Sequence, residues 1–215
     1  MHGPAQRHGK DTGLHKGYAL AVSAALFGAV AMAAPLAAQG QSEGYKFLES
    51  VRDREGTVAT EMLAQPGNTL VNTRDIGTGE TAMHVVTQRR DLTWIRFLLQ
   101  KGADPDIADR KGVTPLQIAS QLGFLEGVEL LAEAGAAVDR PNAAGETALI
   151  SAVHRRDVAM IRVLVEHGAD PRRTDNSGRT ALDYAALIGG NGQVLEVLEA
   201  AVADKDEAGA VYGPS

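Results

Sequence analysis

Apolar residues in the middle of the chain occur in short clusters that polar turns separate. One cluster runs from Leu116 to Ala119 and ends before Gly123. Leu125, Val128 and Leu131 then return at helical spacing, ahead of a segment rich in glycine, proline, asparagine and aspartate. This pattern predicts two short amphipathic helices that meet at a tight corner and are followed by a projecting, hairpin-like turn.

The pattern recurs every 33 residues. A threonine suited to cap a helix opens each copy, and Pro115 follows it in one copy, where its missing N–H is tolerated. A glycine precedes each threonine by two residues, and a Gly-Ala pair ends the second helix. Three columns with one period indicate a repeat array. The columns are Thr81, Thr114, Thr147 and Thr180; Gly79, Gly112, Gly145 and Gly178; and Gly102, Gly135 and Gly168.

The Thr-(Pro/Ala)-(Leu/Met) phrase, the Gly-Ala-Asp phrase and the glycine before each helix pair resemble the ankyrin repeat. The resemblance implies an all-α solenoid of paired antiparallel helices with hairpin-like turns, in about five repeats including the caps. Two corners depart from the family pattern, because Arg90 and Arg156 stand where glycine is usual. An arginine in a left-handed conformation there costs on the order of 1 kcal/mol.

The columns divide the chain into segments whose ends are less regular than the middle. Two short amphipathic helices before Pro66 predict a degenerate first repeat, and an insertion within residues 189–193 shifts the last helix by one residue. The only tryptophan, Trp94, is expected either to cover Gly127 of the next repeat or to face solvent. The expected segments are a signal peptide or membrane anchor (1–38), an N-terminal capping repeat (39–74), three repeats (75–107, 108–140 and 141–173), a C-terminal capping repeat (174–203) and a disordered tail (204–215).

Residues 1–38 are basic and polar at first, then apolar, and end in small residues, which is the order of a secretory signal peptide. We expect cleavage after Ala38, with Ala33 as the alternative. Residues 18–38 are also long enough to serve as an uncleaved membrane anchor. The alanine-rich leader and the absence of cysteine favour a periplasmic or secreted bacterial protein, with an inner-membrane-anchored protein as the alternative.

The charge and the motifs exclude several functional classes. The chain has a formal net charge of −6, and removal of residues 1–38 takes away three basic residues and one acid. An acidic chain of this kind argues against general nucleic-acid binding. No catalytic motif, cofactor-binding motif or metal-ligand spacing stands out, so we expect neither an enzyme nor a metal or other cofactor. The resemblance implies a structural role for His84, and Asp104, Asp170 and Asp175 suit the capping of turns.

What remains is surface. The resemblance implies that partners bind to the concave side, through the turn tips and the exposed ends of the first helices. On the expected surface basic residues outnumber acidic ones, which predicts a partner protein with an acidic patch beside an apolar spot. The alternative is that the arginines only complement helix ends. The candidate residues are Thr78, Glu80, Gln88, Arg89, Arg110, Lys111, Val113, Gln121, Leu122, His154, Arg155, Asn176, Arg179, Leu187 and Ile188.

The resulting expectation is a monomeric, non-catalytic protein-interaction module of the periplasm. A membrane-tethered scaffold is one alternative, and the membrane is a partner only if the leader is not cleaved. By family analogy alone, an accessory protein that supports an oxidative-stress enzyme is another.

Overall fold

The computed structural model describes residues 42–64, 69–189 and 192–211, with side chains described to residue 207. The predicted signal peptide lies outside the described residues. Ten α-helices and one short 3-10 helix, Leu70–Asn72, make up the described chain, which contains no strand. The helices are α1 (Glu43–Arg52), α2 (Gly56–Ala64), α3 (Ala82–Gln88), α4 (Leu92–Gln100), α5 (Pro115–Gln121), α6 (Leu125–Glu133), α7 (Ala148–His154), α8 (Val158–Glu166), α9 (Ala181–Ile188) and α10 (Gly192–Val211).

The recurring threonines are helix caps, as the sequence predicts. The hydroxyl oxygens of Thr114, Thr147 and Thr180 each accept a hydrogen bond from the backbone N–H three residues later, at 3.3, 3.3 and 3.1 Å. A side-chain cap satisfies one of the N–H groups that a helix start leaves without a partner. Each cap therefore fixes where the first helix of its repeat begins.

The helices pack as pairs, and each pair packs on the next. The first helices α1, α3, α5, α7 and α9 contact one another in order, and α4, α6, α8 and α10 form a second layer. One column of leucines in that second layer is fully buried: Leu98, Leu131, Leu164 and Leu198 are each 0% exposed. The last of them follows its predecessor after 34 residues, so the shift predicted for the final repeat is present.

The corners between paired helices contain residues with a left-handed backbone. Arg90 and Arg156 have φ values of 56° and 55°, as the comparison with glycine corners predicts, and Arg54 has a φ of 63°. Gly123 occupies the same corner with a φ of 64°. Two of the arginines compensate for part of the strain: the Nη2 of Arg90 donates to the Leu122 carbonyl, and that of Arg156 donates to the Ile188 carbonyl.

The end of the chain differs from the prediction of a disordered tail after residue 203. Helix α10 continues to Val211, and two contacts hold its end to the preceding turn. Nη1 of Arg172 lies 2.7 Å from a carboxylate oxygen of Asp206, and Nζ of Lys205 donates to the Gly168 carbonyl at 3.0 Å. Both partners lie more than thirty residues away, which is why composition alone did not reveal the extension.

The expected contact between Trp94 and Gly127 is wrong. A Cβ atom added to Gly127 would overlap the ring of Phe124, which caps the same helix and is 6% exposed. Trp94 instead lies against Gly56 of the preceding repeat, with its Cζ2 3.3 Å from where a Cβ would stand. Glycine at position 127 therefore makes room for an aromatic ring of its own repeat. None of the helices in the described part of the chain is long and apolar enough to cross a membrane.

Candidate functional site

The hairpin-like turns are joined to one another by backbone hydrogen bonds. The Arg110 amide donates to the Thr78 carbonyl at 2.9 Å, the Ala143 amide to Lys111 at 2.9 Å, and the Asn176 amide to Ala144 at 3.2 Å. Each bond runs from the tip of one turn to the tip before it. The four tips thus form a continuous row with a fixed backbone, and we call this row the hairpin ladder.

An acidic or amide side chain stiffens each turn of the hairpin ladder. Oδ1 of Asp75 accepts from the amides of Gly77 and Thr78, at 2.7 and 2.8 Å. Together with Arg52, whose guanidinium lies 2.9 Å away, these donors lower the pKa of Asp75 to about 2. The equivalent residues Asp109, Asn142 and Asp175 accept two amides in the same way. These residues hold turns, as the sequence predicts for its recurring aspartates.

His84 ties the start of α3 to the next turn. The Thr81 amide donates to Nδ1 at 3.1 Å, and Nε2 lies 3.1 Å from the Val113 carbonyl, to which its N–H donates. The ring is 0% exposed, and burial lowers its pKa below the ordinary value of 6.5. Gln117 makes equivalent bonds one repeat later, through its own amide group. The structural role that the resemblance implies for His84 is therefore present in its geometry.

The exposed ends of the first helices line up beside the hairpin ladder. Gln88, Gln121, His154 and Leu187 are all exposed and stand one repeat apart. Two of them contact the residue that precedes their own helix: Gln88 donates to Glu80 at 2.8 Å, and His154 Nδ1 lies 3.4 Å from Glu146. The four helix ends and the hairpin ladder together form one surface, which we call the candidate face.

At its C-terminal end the candidate face carries an aromatic cluster that sequence reasoning missed. The rings of Tyr184 and His154 meet edge to face with centroids 4.4 Å apart, and the Arg179 guanidinium lies 5.9 Å from the Tyr184 ring. The Tyr184 hydroxyl donates to Asp175 at 2.5 Å and lowers the pKa of that carboxyl below its usual range. The neighbouring Leu187 is 68% exposed. An aromatic residue one turn after the threonine was the available signal.

The structure separates one column of predicted residues from the candidate face. Arg89, Leu122, Arg155 and Ile188 lie at the corners, one residue after the exposed column. Arg89 is half-buried and donates to the Val51 carbonyl at 2.5 Å and to the Arg52 carbonyl, which caps the end of α1. Leu122 and Ile188 pack against the core, and Arg155 lies beside the Gly123 corner. Among the predicted residues, three basic ones therefore remain on the face, Arg110, Lys111 and Arg179.

Exposure divides the remaining predicted residues. Glu80 and Val113 are half-buried, since one binds Gln88 and the other accepts from His84. The fully exposed residues of the face are Thr78, Gln88, Arg110, Lys111, Gln121, His154, Asn176, Arg179 and Leu187.

One exposed residue of the first turn was also missed. Ile76 is 83% exposed, and its carbonyl accepts from the guanidinium of Arg110. The segment from Asp75 to Gly79 is one residue longer than the segment from Asp109 to Gly112, and this extra length was the signal. The longer turn places an isoleucine at the beginning of the hairpin ladder.

Within residues 42–64, 69–189 and 192–211, no group of three or more His, Cys, Asp or Glu side chains is placed to hold a metal ion. The titratable residues of the face, such as Asp75 and His84, have hydrogen-bond partners that explain them structurally. The arrangement offers a rigid contact surface.

Comparison with known proteins gives one family over most of the chain. A family model described as "Ankyrin repeats (3 copies)" matches residues 48–142, and one described as "Ankyrin repeats (many copies)" matches residues 131–185. The chain is also similar to the Oxysterol-binding protein homolog 1 of Saccharomyces cerevisiae, with 34% identity over 74 residues. That alignment covers 33% of this chain and 6% of the yeast protein, so the chain spans only a small part of the length of this relative.

Proposed function

This chain belongs to the ankyrin-repeat family, and we propose that it binds a partner protein through the candidate face. Ankyrin repeats generally act as protein–protein interaction modules and are typically non-catalytic. The observation that carries the proposal is the contrast between a fixed backbone and free side chains. The hairpin ladder is hydrogen-bonded from tip to tip, while Ile76 and Leu187 are 83% and 68% exposed near its two ends.

That contrast favours binding for an energetic reason. Ordering a flexible loop on binding costs free energy, and a loop that is already ordered avoids this cost. Burial of an exposed Ile or Leu side chain against a partner contributes about 2 kcal/mol each. An exposed apolar side chain is ordinary in isolation. Here two such side chains are held on a common, rigid surface, which is the arrangement that a docking site requires.

We propose that the partner has an acidic patch that meets the first two turns. Arg74, Arg110 and Lys111 are exposed there and surround Ile76. The nearby carboxylates are already engaged, since Asp75 and Asp109 cap their own turns. Basic side chains around an apolar one suit a partner surface with an apolar pocket bordered by Asp or Glu. This is narrower than the sequence expectation, which spread the positive charge over the corners as well.

Site-specific photocrosslinking tests the proposed face. A photoreactive amino acid at position 111 or 187 is expected to capture one and the same protein in cells. The same amino acid at position 96, on the exposed side of α4, is not expected to capture it. If position 96 captures the protein equally well, or if positions 111 and 187 capture different proteins, the candidate face is not the binding surface.

The captured protein then allows a test of charge. Raising the salt concentration from about 50 to 300 mM shortens electrostatic screening from roughly 14 to 6 Å and should slow association. Lys111→Glu should slow association further at low salt. Arg96→Glu changes the net charge equally on the other side of the helix layer, and it should leave the rate unchanged. An association rate that is indifferent to salt contradicts an acidic partner but leaves the binding face intact.

We also propose export to the periplasm, on the order of basic, apolar and small residues in 1–38. Sequencing the N-terminus of the mature protein from fractionated cells tests this. A start at Gln39 supports secretion, and an intact leader in the membrane fraction supports the tethered alternative.

A further inference from the structure

A cleft of about 440 Å³ lies between the first two corners, on a side of the repeats that the candidate face does not include. Nine residues line it, and three of them are arginines, Arg54, Arg89 and Arg90, against one acid, Asp91. The carboxylate of Asp91 is partly engaged already, because its Oδ1 accepts the Trp94 amide at 3.1 Å. The lining therefore has an excess of positive charge.

Arg54 is the unexplained member of this cluster. Its backbone is left-handed, with a φ of 63°, as in Arg90 and Arg156. Those two arginines each donate to a carbonyl of the next corner. The side chain of Arg54 has no hydrogen bond or ion pair within the part of the chain that the structure describes. Here the strain has no structural compensation, and such strain often marks a functional position.

The rest of the cleft is suited to a ligand that is both charged and apolar. The start of α4 lies along it, so the positive end of that helix has the same sign as the arginines. Trp94 contributes an aromatic ring to the wall. A volume of about 440 Å³ exceeds what one simple oxyanion fills and is typical of sites for small organic ligands.

We propose that this cleft binds a small organic anion with at least two negative charges, carried by phosphate or carboxylate groups. The anion would lie between Arg54 and Arg90, and its organic part would lie against Trp94. Bound negative charge relieves the repulsion among three guanidinium groups, which is the physical gain that the empty cleft lacks. Arg89 positions the cleft by holding the end of α1 and contributes its charge.

Tryptophan fluorescence provides a direct test, since the chain contains one tryptophan. The full chain is titrated with citrate and, separately, with pyrophosphate, while sodium chloride keeps the ionic strength constant. We expect a saturable change in emission with at least one of the two probes. A response to citrate assigns carboxylate groups to the ligand, and a response to pyrophosphate assigns phosphate groups.

Two variants at equivalent corners make the test specific. Arg54→Gly removes both the charge and the backbone strain, so we expect affinity to fall at least tenfold while the urea midpoint stays the same or rises. Arg156→Gly makes the same change at a distant corner and should leave the titration unchanged. The proposal is overturned if neither probe gives a saturable change in the wild-type chain, or if Arg54→Gly binds as tightly as wild type.

Discussion

His84 is expected to make the stability of the array depend on pH, because its ring is buried and neutral. Nδ1 accepts the Thr81 amide and the Nε2 N–H donates to the Val113 carbonyl. Burial lowers the pKa of this histidine below 6.5 in the folded state. The unfolded chain therefore binds the proton more readily than the folded chain. The free energy of unfolding should be fully present above about pH 6.5 and should fall as the pH drops toward the lowered pKa.

The magnitude of the effect follows from the same contacts. One titrating group changes the free energy of unfolding by at most about 1.4 kcal/mol per pH unit. His84→Ala leaves the buried Thr81 amide and the Val113 carbonyl without these partners, which should cost about 3 kcal/mol at pH 7.5. His84→Gln should cost about 1 kcal/mol or less, since Gln117 already makes equivalent bonds in the next repeat.

Urea denaturation at several values between pH 5.5 and 7.5 separates these effects. The wild-type midpoint should fall with pH more steeply than that of His84→Gln, and the difference isolates His84 from the other histidines. Equal pH dependence in both proteins would refute the role of the buried ring. So would a His84→Gln variant as unstable as His84→Ala, because the hydrogen bonds would then not be what matters.

Three further changes can be measured by the same denaturation assay. Gly127→Ala should lower stability by about 1–3 kcal/mol, because its Cβ would overlap the Phe124 ring; helix propensity alone predicts a gain, and a gain would contradict the geometry. Thr87→Val should raise stability by about 1 kcal/mol, since the buried hydroxyl has no partner among the described residues and Val153 fills the same column; a lower midpoint would argue for an unseen partner. Asp75→Asn should cost on the order of 1 kcal/mol at pH 7, and the cost should shrink as the pH falls from about 3.8 toward 2, where the wild-type carboxylate is lost; a constant difference would exclude its charge as the cause.

The comparison of prediction and structure shows how far local signals reach. The 33-residue period, the threonine caps and the left-handed Arg90 and Arg156 were all predicted, because each depends on residues within a few positions. The extension of α10 and the position of Trp94 were not predicted correctly. Both depend on contacts with a neighbouring repeat, and the repeat pattern does not specify which side chain is long enough to reach it.

The candidate face shows the same division. The sequence identified the columns of tip and helix-end residues but grouped Gln88 with Arg89, which are adjacent in the chain. Successive residues of a helix point about 100° apart, so the two columns belong to different surfaces. Arg89 reaches carbonyls of the preceding repeat, while Gln88 remains exposed beside Glu80.

The sequence by itself determined the architecture of this protein, because each repeat carries its own caps, corner and apolar stripe and can bury that stripe only against another repeat. The tertiary structure alone decided which arginines are used for internal hydrogen bonds and which are free. Arg90 and Arg156 find a carbonyl in the next repeat, whereas Arg54 lines a cleft without one. That difference depends on distances between atoms more than thirty residues apart, which a repeating pattern does not encode.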